Sequence, residues 1–407
     1  MLKNGELRKT RLAELSRRYS KALARALIAM TFGLGDLLAG GVIASQIDFL
    51  RAIPWAMAVY PGMLSARGAV NGVLSGRLST GMNIGSMKPS LWGNTEEFWS
   101  TISAAFTLTL LASASLTLTV GSTVLLLGGR GGAGLPGLFA VILASMGISQ
   151  AIMAPTTAVA ASLFFRAGVD PDYVTYPSMS TVADFVVSAV YVATLKVYSS
   201  GRTGRLAISL AAFAYALCVL ILAAKHARGE VFRFILREAS LAILIVSVIV
   251  AATGNLLVRV ETVVRGRTEI YVIYPALLTM VGDFGSIVGS IATTKLAIGT
   301  SRPDMRLLAD IAPEALGAWT AWFAAIQAFG AVTAVVSGSG SSVEWLAGVL
   351  ALGGTLSTAT MLAVSLGVAV LTFRMGLDPD NFVNPIESSL ADAVTTGSLL
   401  LALGLAA

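Results

Sequence analysis

Two stretches of this chain carry the same pattern: DPDYVTYPSMSTVAD at residues 170–184 and DPDNFVNPIESSLAD at residues 378–392. Each begins with an Asp-Pro-Asp triplet and ends on an aspartate inside an apolar run. An Asp before a helix, a Pro at its first position and another Asp in its first turn are typical of a helix start. The pattern therefore predicts two equivalent helices, each with an aspartate deep inside it.

The remainder of the chain is strongly apolar. Of its 407 residues, 56% are hydrophobic and only 12% are charged, and the mean hydropathy is +0.80. Soluble proteins carry about 25% charged residues, and apolar runs of 18 or more residues are typical of membrane-spanning helices. We therefore expect an all-α polytopic protein of the cell membrane. Its basic residues serve to orient helices in the lipid bilayer, and we expect no nucleic-acid partner.

Eleven membrane spans are predicted from the apolar runs. Lys and Arg are concentrated on the side of the N-terminus, which favours a cytoplasmic N-terminus and an external C-terminus. The basic segment 1–21 is expected to form an amphipathic helix on the membrane surface. The spans lie near 22–46, 52–76, 101–127, 135–164, 174–197, 206–224, 234–257, 270–294, 316–337, 345–372 and 383–406.

The duplication extends beyond the opening motif. YPGMLSARGAVNGVLSGRLSTGMNIG at 60–85 aligns with YPALLTMVGDFGSIVGSIATTKLAIG at 274–299. Two blocks in the same order indicate internal repeats. We predict two parallel five-helix repeats joined by one extra helix (5+1+5), related by a pseudo-two-fold axis along the membrane normal. The predicted divisions are 1–21, 22–198, 199–230 and 231–407.

Asp184 and Asp392 close the two motifs. Each lies 14 residues after the first Asp of its triplet, roughly 21 Å along a helix, which is near mid-membrane. A carboxylate there usually faces a cavity or a partner, and a pair of them matches one divalent ion in charge. The alternative is a protonated aspartate that binds Ser or Thr across a helix interface.

Further polar residues share these helices. On the second helix of each repeat, Asn71 and Asp283 are expected to face the pathway, and Arg67 could neutralise a nearby carboxylate. Along the fifth helices, the predicted pore-lining residues are Thr181, Ser188, Ser388 and Thr395. The triplet acids either cap helices or also attract cations at a cytoplasmic mouth; Glu387 could serve at that mouth or only extend to the surface. The triplet acids are Asp170, Asp172, Asp378 and Asp380.

Residue chemistry restricts the possible sites. With one cysteine and one histidine in the chain, a cation site must use oxygen ligands, which suit hard ions such as Mg²⁺. GLGD at 33–36 is similar to a motif of intramembrane aspartyl proteases, but the chain has no YD partner motif. We therefore expect no enzyme, and a structural hydrogen bond for Asp36.

Taken together, the motifs resemble the membrane domain of MgtE-type magnesium channels, and even more their two-repeat relatives, solute carrier family 41. RLSTGMNIG (77–85), YPALL…GD (274–283) and the two DPD motifs carry the resemblance. It implies a pore between the two repeats, lined by their second and fifth helices and conducting hydrated Mg²⁺. The family's ion-holding aspartate corresponds to Asp184 and Asp392.

The chain departs from this family in two ways. Where the second helix usually has a Gly-Asn pair, this chain has Gly68-Ala69 and Gly282-Asp283. Asp283 is therefore a third expected metal ligand, and its presence leaves a Na⁺- or H⁺-coupled Mg²⁺ exchanger open beside a channel. Bacterial MgtE channels also carry cytosolic Mg²⁺-sensing CBS domains, whereas we expect gating without such a sensor here.

The residue chemistry alone permits Mg²⁺, Mn²⁺ or Co²⁺, and only the resemblance prefers Mg²⁺. A transporter of organic solutes and a non-transporting scaffold are further alternatives. Mid-membrane aromatic and basic residues are scarce, which argues against the first, and the paired carboxylates argue against the second. A monomer that acts as a pseudo-dimer would suffice for the predicted function.

Overall fold

The computed structural model shows a chain of long α-helices, with no strand among the residues that it describes. Most of the helices have 25 or more residues, which is long enough to cross a bilayer at 1.5 Å per residue. A 3₁₀ turn at Phe32–Leu34 separates the first two helices. The helices are α1 (Leu2–Thr31), α2 (Asp36–Ser45), α3 (Ile47–Arg51), α4 (Ala56–Asn83), α5 (Glu96–Leu126), α6 (Gly134–Arg166), α7 (Pro171–Ser199), α8 (Arg202–His226), α9 (Thr268–Ala297), α10 (Arg306–Val336), α11 (Val343–Arg374) and α12 (Asp380–Ala406).

Not every residue is described. The structure leaves out 1, 54, 127–133, 169–170, 238, 242, 245–246, 248, 250–266, 298, 338–342, 376–379 and 407. It gives the backbone alone for 2–11, 123–126, 171–177, 297 and 380–389. Statements about contacts below concern the remaining residues.

Two compact units make up the chain. One comprises Met1–Leu37 with Thr262–Ala407, and the other comprises Leu38–Glu261. The first predicted span, 22–46, therefore begins in one unit and ends in the other. The fourfold division made from the sequence repeat follows a different criterion and stays a prediction.

Each unit contains a four-helix group with the same packing. In the unit Leu38–Glu261, α4 packs against α5, α6 and α7, while α6 packs against both α5 and α7. In the other unit, α9 packs against α10, α11 and α12, and α11 packs against both α10 and α12. The helices of the two groups correspond in chain order, so the packing repeats along with the sequence.

Local backbone features repeat as well. Gly85 and Gly299 follow the ends of α4 and α9 with φ of 77° and 70°, a left-handed conformation in which glycine commonly ends helices. Pro61 and Pro275 lie inside the same two helices at matching positions. The alignment of 60–85 with 274–299 therefore predicts the backbone correctly at these points.

Eight helical segments of the described chain are long and apolar enough to cross a membrane, and residues 390–406 form a shorter apolar helix. Helix α4 has the required length, but Arg67, Arg77 and several Ser and Asn residues lower its hydropathy. The predicted span 234–257 lies largely outside the described residues. The protein is a multi-pass membrane protein, while the eleven-span 5+1+5 layout stays a prediction.

The N-terminal helix docks on α10 within its own unit. A Cβ added to Gly317 would lie 2.6 Å from the carbonyl oxygen of Tyr19, so the two helices approach closely there. Beside this contact, Arg18 forms two bonds to the Glu314 carboxylate, from Nε at 2.8 Å and from Nη2 at 2.7 Å. The basic segment is thus helical, as predicted, and its location on a membrane surface stays a prediction.

Candidate functional site

Asp184 forms a buried ion pair. Nη2 of Arg67 on α4 donates to Oδ1 of Asp184 on α7 at 2.6 Å, and Nη1 donates to the carbonyl oxygen of Ser180 at 3.0 Å. Arg67 is 7% exposed and Asp184 is 3% exposed. The prediction that Arg67 neutralises a nearby carboxylate is confirmed. Removing one partner of such a buried pair typically costs about 3–5 kcal/mol, because the other charge is left uncompensated.

A tyrosine holds the same helix one turn beyond the acid. The hydroxyls of Tyr60 and Ser188 are 2.9 Å apart, and Ser188 Oγ donates to the carbonyl oxygen of Asp184 at 2.7 Å. Tyr191 adds a second link between α7 and α4 by donating to the carbonyl oxygen of Ala56 at 2.8 Å. The register of α7 against α4 is therefore fixed around the acid.

The second repeat contains the same arrangement. Tyr274 and Thr396 have their hydroxyls 2.8 Å apart, and Thr396 Oγ1 donates to the carbonyl oxygen of Asp392 at 2.7 Å. Asp392 is 9% exposed. Tyr60 and Tyr274 are aligned residues, and so are Ser188 and Thr396. Sequence reasoning matched the tyrosines without giving them a role, although the common spacing contained the signal.

Asp283 lies beside the contact between α9 and α12. A Cβ added to Gly282, the preceding residue, would lie 3.8 Å from the Cβ of Ala391, which itself precedes Asp392. Both acids of the second repeat thus lie one residue from the point where their helices touch. Within the described part of the chain, Asp283 has no basic partner.

The first repeat encloses a small polar cavity of about 10 Å³ beside Arg67 and Asn71. The side chains of Asn71, Ser149 and Gln150 line it and are at most 6% exposed. Asn71 Oδ1 accepts from Thr157 at 3.2 Å, but Asn71 Nδ2, Ser149 Oγ, Gln150 Nε2 and Arg67 Nε have no hydrogen-bond partner among the described residues. Ser149 and Gln150 lie on α6, outside the repeated motifs, so no sequence signal pointed to them.

The other predicted residues are distributed as follows. Thr395 is fully buried and has a hydroxyl without a hydrogen-bond partner among the described residues. Thr181 is partly buried, and Asp36 is fully buried at the start of α2. Six predicted residues lie outside the residues whose side chains are described: Asp170, Asp172, Asp378, Asp380, Glu387 and Ser388.

Few acidic side chains of the described residues lie close enough together to bind a metal ion. No three Asp, Glu, His or Cys side chains come together in the part of the chain that the structure describes. Among these residues, a cation would meet one or two carboxylates together with hydroxyl groups, and proteins commonly hold Mg²⁺ in this way through its own waters.

Comparison with known proteins gives one match. A family model described as MgtE, divalent cation transporter, matches residues 60–194 and 274–402. No curated protein and no solved structure matches the chain. The matched ranges cover more than half of the chain and contain Tyr60 and Tyr274 as well as Asp184, Asp283 and Asp392. The chain therefore belongs to the MgtE family of divalent cation transporters.

Proposed function

We propose that this protein passes Mg²⁺ across the cell membrane as a channel and that the ion retains much of its water shell. The observation that carries the proposal is the duplicated arrangement of a tyrosine, a hydroxyl and a buried aspartate, which lies inside both ranges matched by the transporter family. Asp283 and Asp392 set the charge of the pathway, and the Arg67–Asp184 ion pair lies on the matching helices of the first repeat. The position of this pathway between the repeats, which the resemblance implies, stays a prediction.

The chemistry of the residues supports a hard dication. The chain has a single histidine, and its one cysteine, Cys218, is exposed, so soft or nitrogen-rich coordination is not available to it. Mg²⁺ dehydrates reluctantly and is usually bound through one or two carboxylates with several retained waters. Mn²⁺ and Co²⁺ share this oxygen chemistry and are further candidate substrates.

Flux into liposomes tests the proposal. The purified protein is reconstituted with a Mg²⁺-sensitive dye inside the vesicles, and uptake is compared with Asp184→Asn and Asp392→Asn. We expect uptake by the wild-type protein and its loss in both variants. Asp48→Asn is the matched control, because the Asp48 side chain is 94% exposed. Dye signals from wild-type vesicles that equal those from protein-free vesicles would reject the function.

Coupled exchange is the second candidate, and Asp283 favours it. A second carboxylate beside Asp392 gives the site one more group that can bind Na⁺ or a proton in place of Mg²⁺. The same liposomes distinguish the two modes when a Na⁺ or pH gradient is applied without a Mg²⁺ gradient. Net Mg²⁺ accumulation driven by the Na⁺ or pH gradient alone would establish exchange, and its absence would leave the channel.

The orientation of the chain is tested separately. Cys218 is the only cysteine, so Cys218→Ser gives a background into which single cysteines can be introduced near each terminus. The proposal expects a membrane-impermeant thiol reagent to label the C-terminal cysteine from outside intact cells and to leave the N-terminal cysteine unlabelled.

A further inference from the structure

The two repeats differ in charge at mid-membrane. Arg67 on α4 aligns with Val281 on α9, and Ala69 aligns with Asp283. The second and fifth helices of the first repeat therefore carry one acid and one base in this region. Those of the second repeat carry two acids. The acid and the base of the first repeat cancel, so the net charge of the two repeats at this depth is that of the two carboxylates of the second repeat.

In the first repeat, the base already satisfies the acid. Arg67 binds both the Asp184 carboxylate and the Ser180 carbonyl oxygen, and all of these contacts are buried. A cation that coordinated Asp184 would have to displace a guanidinium group that α7 holds at two points. Asp184 is thus already engaged by a cation that belongs to the chain.

No such base is available on the matching helices of the second repeat. Helix α12 contains no Lys or Arg, and Lys295 is the single basic residue of α9. Lys295 lies in the last turn of α9, where Nζ donates to the carbonyl oxygen of Asp310 at 2.6 Å and lies 3.4 Å from Glu314 Oε1. It is 12 residues from Asp283, which is about 18 Å along a helix.

An independent feature of the same helix points to a ligand. Thr395 lies three residues after Asp392, so the two side chains share one face of α12. Its side chain is fully buried, and its hydroxyl has no hydrogen-bond partner among the described residues. A buried hydroxyl usually has such a partner, and a hydrated cation beside Asp392 would provide one.

We propose that the second repeat alone holds the transported dication, through Asp283 and Asp392 with the Thr395 hydroxyl beside them. Arg67 serves as a built-in counter-ion that keeps Asp184 neutralised and the first repeat free of net charge at this depth. This inference rests on the proposed function and specifies its binding site. Two carboxylates balance one dication, which can retain its waters between them.

The decisive variant removes both members of the ion pair. Asp184→Asn alone leaves Arg67 buried without a counter-charge, so its loss of function does not show that Asp184 touches the ion. The double variant Arg67→Gln/Asp184→Asn removes both charges and leaves the charge balance intact. We expect it to bind Mn²⁺, used as a paramagnetic probe, with wild-type affinity, and to pass Mg²⁺ in liposomes.

Variants of the second repeat give the opposite expectation. Asp283→Asn, Asp392→Asn and Thr395→Val should weaken Mn²⁺ binding, by about tenfold or more for each aspartate, since even residues that only support metal ligands typically contribute 10–100-fold. Asp48→Asn again serves as the exposed control. Asp283→Asn also replaces an acid without a basic partner in the described structure, so it tests the site if the double variant does not fold.

The outcomes separate the inference from the proposed function. If the wild-type protein passes Mg²⁺ but the folded double variant neither binds Mn²⁺ nor passes Mg²⁺, Asp184 is itself a ligand and the inference is wrong. Wild-type affinity in Asp283→Asn would likewise overturn it. If the wild-type protein passes no dication at all, the proposed function fails first.

Discussion

The hydroxyl of Tyr274 lies 2.8 Å from the hydroxyl of Thr396, and this pair links the second and fifth helices of the second repeat. Thr396 donates its proton to the carbonyl oxygen of Asp392, so Tyr274 is the donor to Thr396. The first repeat contains the same chain of donors through Tyr60 and Ser188. Each acid therefore lies one turn from a hydrogen bond that fixes its helix.

This relationship predicts a measurable coupling. In a double-mutant cycle of Tyr274→Phe and Thr396→Val, we expect a coupling energy of about 0.6 kcal/mol, the average for hydrogen bonds between membrane helices. The free energy of unfolding is measured by SDS titration in mixed micelles. Tyr60→Phe with Ser188→Ala should give a coupling of the same sign. Additive effects in both cycles would show that the duplicated bonds are not formed.

A control pair comes from the same unit. Tyr19 donates to Thr320 at 3.2 Å and shares no partner with Thr396. Tyr19→Phe and Thr396→Val should therefore change the free energy of unfolding additively.

The repeat shows how far sequence alone could predict this fold. Aligned residues have equivalent backbone features, such as the positive φ of Gly85 and Gly299. These features could be predicted because the conformation at a helix end depends on nearby residues. The depth of Asp184 in its helix followed from simple residue spacing. Its pairing with Arg67 was only suggested, since their contact joins residues 117 positions apart.

The sequence patterns could not predict which helices, far apart in the chain, pack against each other. The contact of α1 with α10 joins Arg18 to Glu314 across 296 positions, and no periodicity within either helix specifies its partner. The cavity residues Ser149 and Gln150 were missed for the same reason, because their common feature is a neighbour on another helix. The span predicted at 52–76 corresponds to α4, whose hydropathy is lowered by Arg67 and Asn71 because these residues serve contacts inside the protein.

The second prediction concerns Gly68 and Gly282, which are aligned in the two repeats but differ in the space around them. At Gly282, a Cβ would meet Ala391 at 3.8 Å, which is ordinary contact, whereas no atom lies within 4 Å of a Cβ at Gly68. Gly282→Ala should be tolerated, while Gly282→Leu should lower the free energy of unfolding by about 1–3 kcal/mol through overpacking. Gly68→Leu should lower it by less than Gly282→Leu does, because the space around a Cβ at Gly68 is open. Equal losses at both positions would contradict the contact between α9 and α12.

Docking of the N-terminal helix gives the third prediction. A Cβ at Gly317 would lie 2.6 Å from Tyr19 O and 3.0 Å from Leu23 N, and these backbone atoms cannot move independently of α1. Gly317→Ala should therefore separate α1 from α10, lower stability by about 1–3 kcal/mol, and speed trypsin cleavage after Arg17 and Arg18. Thermal unfolding and timed proteolysis measure both effects.

The control for this variant is Gly348→Ala on α11, where no atom lies within 4 Å of the added Cβ. Alanine is favoured over glycine inside helices by up to about 1 kcal/mol, so this substitution should leave stability unchanged or raise it. Unchanged proteolysis in Gly317→Ala would mean that the two helices are not in close contact.

The polar cavity of the first repeat gives the last prediction. Its volume of about 10 Å³ is close to the smallest space that holds one water, which needs two to four polar partners. Arg67 Nε, Asn71 Nδ2 and Gln150 Nε2 can only donate, whereas Ser149 Oγ can also accept, so one water can accept from two of these nitrogens and donate to Ser149. We therefore expect an ordered water that hydrates the buried guanidinium group of Arg67 and is held whether or not a cation is present.

Two methionines make that water detectable. Met146 and Met153 line the cavity, and they are 3% and 2% exposed. Brief X-ray irradiation of an aerated sample generates hydroxyl radicals from water in place. A radical adds to an adjacent methionine sulfur, and dissolved oxygen removes the second electron and the proton to leave the sulfoxide. After equilibration in H₂¹⁸O, we expect ¹⁸O-labelled sulfoxide at Met146 or Met153. Asn71→Leu should suppress it, because this substitution fills the cavity and removes one donor.

Buried methionines elsewhere provide the comparison. Met63 and Met361 are fully buried and do not line the cavity, so they should remain unmodified at the same dose. If Met146 and Met153 resist oxidation as well as these two do, the cavity is dry. The unsatisfied donors around Arg67 would then lower the stability of the first repeat, because a buried donor without a partner costs about 1–3 kcal/mol.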